Sequence, residues 1–417
     1  MIKKGKIAYE AFELSNGLRV VVHEDPTVQI AVLNLMYDVG SKDEDAKKTG
    51  FAHLFEHLMF GGSENIPEFD TALQKVGGEN NAFTSPDLTN YYMTVPANNL
   101  ETAFWLESDR MLSLSFDPEV LEIQRKVVIE EFKQRYLNQP YGDIWLKFRP
   151  VCYQKHPYRW PTIGKEIDHI EKATMEDVKN FFHQFYVPNN AVLVVGGNVK
   201  VEQVRKLAEK WFGSIPTGKP YHRNLSVEPP QTTKRVLEIE AEVPVSLFYK
   251  AYHMCGKKDE NYYAADLLSD VIGRGKSSRI HKTLVEDKRL LTAANGYVMG
   301  STDPGLLILS GYLRNGVTFQ EVETAVDEVV KDIQNHITDE EIQKVKNQAE
   351  SSLEFGRVEV LERCINLAYN TLLGNTELIN EEQSKIASVT KEDIFTQAKT
   401  ILREENSSIL RYQSIKK

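Results

Sequence analysis

Apolar positions follow two different periods along this chain. Short runs rich in branched side chains, such as Ala31-Val32-Leu33-Asn34-Leu35-Met36 and Val192-Leu193-Val194-Val195, read as strands. Residues 200–212 and 319–335 instead repeat apolar side chains every three or four positions, the pattern of amphipathic helices. A further helix is predicted over residues 117–137, with Asp117 as N-cap and Pro118 at the first position. On it Gln124, Val127, Val128 and Glu131 share one face. Strand and helix runs interleave without the regular βαβ rhythm of a parallel sheet, so an α+β class with largely antiparallel sheets is expected. The stretch from Ile215-Pro216 to Pro229-Pro230 breaks both periods and reads as a linker.

An internal repeat organises these elements. Gly40-Ser41-Lys42-Asp43-Glu44 is echoed by Gly256-Lys257-Lys258-Asp259-Glu260, and Thr174-Met175-Glu176-Asp177-Val178 by Thr390-Lys391-Glu392-Asp393-Ile394, each at an offset of 216 residues. One offset shared by matches so far apart implies two copies of one domain. The expected division is residues 1–218, a linker over 219–233, and residues 234–417.

The chemistry sits in His53-Leu54-Phe55-Glu56-His57. Residues three and four apart are neighbours on a helix, so both imidazoles can reach one metal ion while Glu56 lies beside it. This H-x-x-E-H order is the inverted form of H-E-x-x-H, and in both the carboxylate serves as the base of a zinc hydrolase. The same helix also carries Phe51, Leu54, Leu58 and Phe60, so two half-buried polar histidines are the blander alternative. Catalytic zinc takes three protein ligands and keeps a fourth position open. Glu131, 74 residues beyond His57, is the candidate third ligand. Glu130, about 100° further round the helix, is the alternative, and an exposed pair of glutamates the plain one. In the second copy the offset places Ser269, Ile272 and Gly273 where His53, Glu56 and His57 stand, so only the first half can hold metal.

Composition narrows the classes. A formal charge of −10 argues against nucleic acid and anionic membranes as partners. Cys152, Cys255 and Cys364 are widely spaced, which indicates reduced thiols and no second zinc site. The basic start Met1-Ile2-Lys3-Lys4-Gly5-Lys6 is followed by no apolar segment, and a cytoplasmic location is expected, or a periplasmic one if a signal peptide has been removed. Gly275-Lys276-Ser277 ends like a phosphate-binding loop, but Asp270 stands where its first glycine belongs.

Around the pentad the chain resembles the M16, or pitrilysin-type, zinc metallopeptidases. In these H-x-x-E-H is followed some seventy to eighty residues later by a glutamate ligand in an R-x-x-V-x-x-E-like helix, here Arg125-Lys126-Val127-Val128-Ile129-Glu130-Glu131. The match maps the ligand onto Glu131 and puts Gln124 where many members carry a supporting glutamate. Similar stretches are Asn16 to Val21, Gly50 to Gly62, Asn81-Ala82-Phe83-Thr84-Ser85 with Thr89-Asn90-Tyr91-Tyr92, His156 to Gly164, and Tyr186 to Ala191. Coverage is nearly continuous over residues 10–215 and looser beyond.

The resemblance implies two processing-peptidase-like α/β-sandwich domains, half of a clamshell, with the second as scaffold or substrate wall. It implies one zinc ion per chain on His53, His57 and Glu131, with Glu56 as base, and hydrolysis of extended peptides or unfolded segments. Asn81, Ala82 and Phe83 would bind substrate; without the resemblance they read as an ordinary strand with a turn-forming Asn80-Asn81 start. Self-sufficient members carry in the second domain an arginine and, seven residues on, a tyrosine that grip the substrate backbone. Val285 and Thr292 fall at those positions, with Arg289 and Tyr297 as substitutes under a shifted alignment. The expected partner is therefore a second, zinc-less M16-like subunit, a homodimer being the alternative. A non-catalytic scaffold of the same fold and a metal-dependent hydrolase of non-peptide amides are the competing functions.

Overall fold

A computed structural model describes residues Lys6–Ile415, so the N-terminal basic stretch up to Gly5 lies outside the described residues. The strands are β1 (Glu10–Glu13), β2 (Arg19–Glu24), β3 (Ile30–Tyr37), β4 (Glu79–Thr84), β5 (Thr89–Pro96), β6 (Ala191–Gly197), β7 (Arg235–Ala241), β8 (Leu247–His253), β9 (Leu291–Met299), β10 (Leu306–Leu313) and β11 (Ser407–Ser414). The first helices are α1 (Phe51–Leu58), α2 (Phe69–Gln74), α3 (Leu100–Leu112), α4 (Pro118–Phe132), α5 (Ile144–Cys152), α6 (Ile167–Glu171), α7 (Met175–Phe185) and α8 (Val201–Phe212). They are followed by α9 (Tyr262–Gly273), α10 (Phe319–Ile333), α11 (Asp339–Gly356), α12 (Val360–Leu373), α13 (Leu378–Ser388) and α14 (Lys391–Ile401). The two strands and three helices read from periodicity are β3, β6, α8, α10 and α4, the last continuing into a π-helical turn at Lys133–Leu137. No helix or strand interrupts the chain between Phe212 and Arg235.

The strands form two sheets of one design. The first runs β1-β2-β6-β3-β5-β4 and the second β7-β11-β8-β10-β9. Only β2 with β6 and β7 with β11 pair in parallel; all other neighbours are antiparallel. The fold is therefore α+β, and the repeat is visible in its geometry. An offset of 216 carries Ala191 at the start of β6 onto Ser407 at the start of β11, and Met175 at the start of α7 onto Lys391 at the start of α14. Both helices open with the same reciprocal cap, Thr174 with Asp177 and Thr390 with Asp393. Such a box satisfies two backbone donors that the first turn leaves without partners.

Two compact units result, and neither is one continuous stretch. Residues Tyr136–Arg159 belong with the second sheet and residues Phe355–Glu381 with the first. The helices inside these segments, α5 and α12, occupy equivalent places in the repeat, so each copy lends its partner the same helix. On α12, Val360, Cys364, Leu367 and Ala368 form an i, i+4, i+7, i+8 stripe buried against Val21, Val32, Met36, Val192 and Val194. On α5, Ile144, Phe148 and Cys152 bury against Leu247, Ala251, Ile308, Leu410 and Tyr412. All three cysteines are free; burial pushes Cys152 and Cys364 up to about 12 and Cys255 up to about 11.

Close approach of α12 to its sheet depends on Gly196 in β6. A Cβ there would stand 2.4 Å from Cys364 Sγ. We expect Gly196→Ala to cost about 1–3 kcal/mol through overpacking. Urea denaturation should show Cys364→Ala recovering part of that loss, a recovery absent if the two sites are independent.

Candidate metal centre

Helix α1 begins where Gly50 adopts φ 91°, a left-handed conformation that glycine takes without penalty. A side chain at Gly50 would also meet the Ile163 carbonyl oxygen at 2.6 Å. The carboxylate of Glu44 closes the helix start, accepting from the Gly50 and Ala52 amides at 2.9 Å each. Phe51, Ala52, Leu54, Phe55 and Leu58 are buried, and the Phe55 ring packs on Phe181 and Tyr186. That anchoring turns His53, Glu56 and His57 toward α4. His53 is 9% exposed, while Glu56 and His57 are half-buried.

Helix α4 starts as the sequence predicts, with the Asp117 side chain accepting from the Glu119 amide at 2.7 Å. It delivers Glu131 to the histidines. Glu131 Oε2 lies 3.6 Å from His53 Nε2 and 3.4 Å from His57 Nε2. Zinc bonds of about 2.1 Å in a tetrahedron place ligand atoms roughly 3.4 Å apart, so the donor set and its spacing fit that ion. Among the described residues no other three such side chains bring their ligand atoms within 4.8 Å of one another. Glu130 points elsewhere and pairs with Lys133 Nζ at 2.6 Å.

Burial pulls His53 down to about 4, which keeps it in the neutral form a metal needs. Its Nδ1 is buried with no hydrogen-bond partner among the described residues. Glu131 is held below the usual carboxylate range, first by its hydrogen bond with His57. Its other oxygen, Oε1, meets Arg135 at 3.1 Å. Gln124, at the position where many family members carry a supporting glutamate, makes no hydrogen bond among the described residues, and the side chain that meets Glu131 is Arg135. Its i, i+4 spacing from Glu131 was the available signal. Glu56 is pushed up by burial, against a hydrogen bond of 2.6 Å from the Thr84 hydroxyl.

Thr84 ends β4, the edge strand of the first sheet. Alternation along β4 puts Ala82 and Thr84 on the face toward α1, and Asn81 and Phe83 on the other, where Phe83 is 37% exposed. The three residues named as substrate-binding thus divide between two faces. The Ala82 amide donates to Asn81 Oδ1 of its own strand at 2.8 Å, as an outward-facing edge donor can.

The second copy lacks room for such a site. Gly273, the counterpart of His57, lies so close to β9 that a Cβ would fall 1.9 Å from the Gly296 nitrogen. Val285 packs partly into the core of that unit, and the Thr292 hydroxyl donates to the Tyr312 carbonyl at 3.3 Å. Arg289 sits exposed in a turn at φ 54°. Tyr297 lies within β9, and at about 3.3 Å per residue the run from Leu291 to Tyr297 alone covers roughly 20 Å.

Comparison with known proteins agrees with this geometry. Residues 19–141 match the model of insulinase (peptidase family M16), and residues 172–349 that of the peptidase M16 inactive domain. Zinc protease PqqE of Helicobacter pylori is 32% identical over 354 residues, 81% of this chain and 78% of that protein. Uncharacterized zinc protease YmxG of Bacillus subtilis is 25% identical over 398 residues, 94% and 96% of the two chains. This chain belongs to peptidase family M16. A protease from Helicobacter pylori of known crystal structure superposes with a TM-score of 0.91 at 26% identity, covering 97% of this chain and 99% of that one. Pitrilysin shares the fold at 18% identity and a TM-score of 0.79, and the whole of this chain spans 46% of it. No described helix is long and apolar enough to cross a membrane.

Burial pushes Glu44 up to about 8, against its two backbone donors. A carboxyl whose pKa is higher folded than unfolded holds its proton more tightly in the fold, so its contribution to stability falls as pH rises from about 4.5 through 8. Thermal melts of metal-free protein should show this decline between pH 5 and pH 8, and a shallower one in Glu44→Gln. Identical slopes would exclude Glu44 as its source.

Proposed function

We propose that this chain is a zinc-dependent endopeptidase that cleaves extended peptides or unfolded segments. The observation that carries the reading is one carboxylate oxygen, Glu131 Oε2, within 3.6 Å of two imidazole nitrogens, next to a carboxyl that is not itself part of the cluster. His53, His57 and Glu131 would hold the ion, with Arg135 fixing the glutamate. Zinc held there would supply Lewis acidity, making a water more acidic and polarising the scissile carbonyl. Glu56 takes the proton of the attacking water and passes it to the leaving amine. Burial raises its pKa, the direction that makes it a stronger base than an exposed carboxylate. The free edge of β4 offers main-chain donors and acceptors to a peptide added as a further strand, once the Ala82 amide exchanges the Asn81 side chain for the peptide.

Acyl transfer also needs donors for the developing oxyanion, and loss of one such donor costs roughly a hundred- to a thousandfold in rate. Val285 and Thr292 cannot serve. A zinc-less M16-like subunit bringing an arginine and a tyrosine would complete the site, which makes this chain the catalytic half of a heterodimer. A second reading, a scaffold without activity, draws on the match of residues 172–349 to the inactive domain. Zinc content and peptide hydrolysis separate the two.

His53→Ala, His57→Ala and Glu131→Gln should each lower zinc, measured by elemental analysis, to well below one ion per chain. Glu130→Gln should leave it unchanged, and Glu56→Gln should keep zinc while abolishing hydrolysis. The reverse order for the two glutamates would mean that Glu130 is the ligand. A fluorogenic panel should show cleavage of unstructured peptides, with compact folded domains and non-peptide amides spared. The purified chain should hydrolyse feebly alone; full activity from a verified homodimer would refute the heterodimer.

A further inference from the structure

The Glu56 carboxylate has one oxygen engaged and one free. Oε2 accepts from the Thr84 hydroxyl at 2.6 Å, and Oε1 takes no hydrogen bond among the described residues. A carboxylate held at one oxygen keeps a fixed direction for the lone pairs of the other. Without that bond a glutamate side chain on an open helix face samples several rotamers.

The donor itself stands on a rigid support. Thr84 pairs with Thr89 across the β4–β5 hairpin. The turn that follows is closed by the Ser85 amide on the Leu88 carbonyl at 2.9 Å, and the Ser85 hydroxyl accepts from the Asp87 and Leu88 amides at 3.1 Å each. The Ser41 and Lys42 amides then hold the turn through the Ser85 and Pro86 carbonyls at 3.2 and 3.0 Å. Lys42 Nζ, whose residue is 2% exposed, pairs with Asp87 at 2.8 Å. A few residues on, Glu44 grips the start of α1. Residues 40–44 thus hold both the strand that carries Thr84 and the helix that carries Glu56.

We propose that Thr84 is a positioning residue, whose hydroxyl aims the free oxygen of Glu56 at the attacking water and ties that aim to the edge strand where the peptide pairs. This rests on the peptidase reading above. Two substitutions distinguish it from a role in strand packing. Thr84→Val keeps the branched shape and the strand preference but removes the donor, whereas Thr84→Ser keeps the donor and loses the methyl group. If packing were the role, valine would be the better replacement; for positioning, serine is.

The test uses the full chain loaded with zinc, a fluorogenic peptide, and crystal structures of the metal-free variants. Zinc per chain should not change in either variant. In Thr84→Val kcat should fall about 10- to 100-fold with KM within about twofold, since general-base catalysis is weakened without loss of binding. Thr84→Ser should stay within about threefold of the parent. In the crystals Glu56 should hold one rotamer in the parent and the serine variant and spread over several in the valine variant. Thr84→Ala supplies a second donorless side chain should Thr84→Val fail to fold. Serine as damaging as valine, or an unmoved Glu56 in the valine variant, would overturn the proposal. A parent chain that holds zinc yet lacks even the feeble hydrolysis expected of it alone would defeat the peptidase reading instead, and the rotamer comparison would still decide the role of Thr84.

Discussion

A buried carboxylate at the head of an eight-residue helix is the contact on which the candidate site depends. Helices this short are marginal by themselves, and their first amides have no partners within the helix. Glu44 supplies acceptors to two of those amides. Gly50 permits the chain to turn sharply into that grip. With the start of α1 fixed, the positions of His53, Glu56 and His57 follow from helical geometry, and the aromatic packing of Phe55 sets which way they face. The donors on α4 and β4 have value only because α1 arrives in one orientation.

Local features of the site were legible in the chain. The pentad is a statement about one face of one helix, and Asp117-Pro118 marks the start of α4, so the approach of Glu131 could be anticipated from spacing. The division of Asn81, Ala82 and Phe83 between two faces was equally available from strand alternation. The roles of Glu44 and Thr84 were not, because a repeat motif and a family-like stretch mark the segments that carry them but not the hydrogen bonds they make to α1. Periodicity along α5 and α12 showed which side chains turn inward but not which sheet they cover. An amphipathic stripe fits either copy of a duplicated sheet, and only the assembled fold decides.

The two copies put one topology to opposite uses. In the first, α1 stands off from the edge strand far enough for a cluster of polar side chains to form between helices and strand. In the second, α9 lies directly on β9, with Gly273 against Gly296, and the equivalent volume is filled by backbone. The second copy leaves no vacancy there for a metal site. Restoring a histidine at position 273 would force helix and strand apart.

The helix exchange also constrains how the chain comes to be folded during synthesis. The face of the first sheet formed by Val21, Val32, Met36, Val192 and Val194 is covered by residues 360–373, which leave the ribosome long after the last strand of that sheet. At roughly 5–20 residues per second, the stretch between Gly197 and Leu373 takes on the order of 10–35 s to translate. Through that interval an apolar sheet face is complete and bare. A ribosome that stalls before α12 has emerged leaves behind a first copy with that face uncovered.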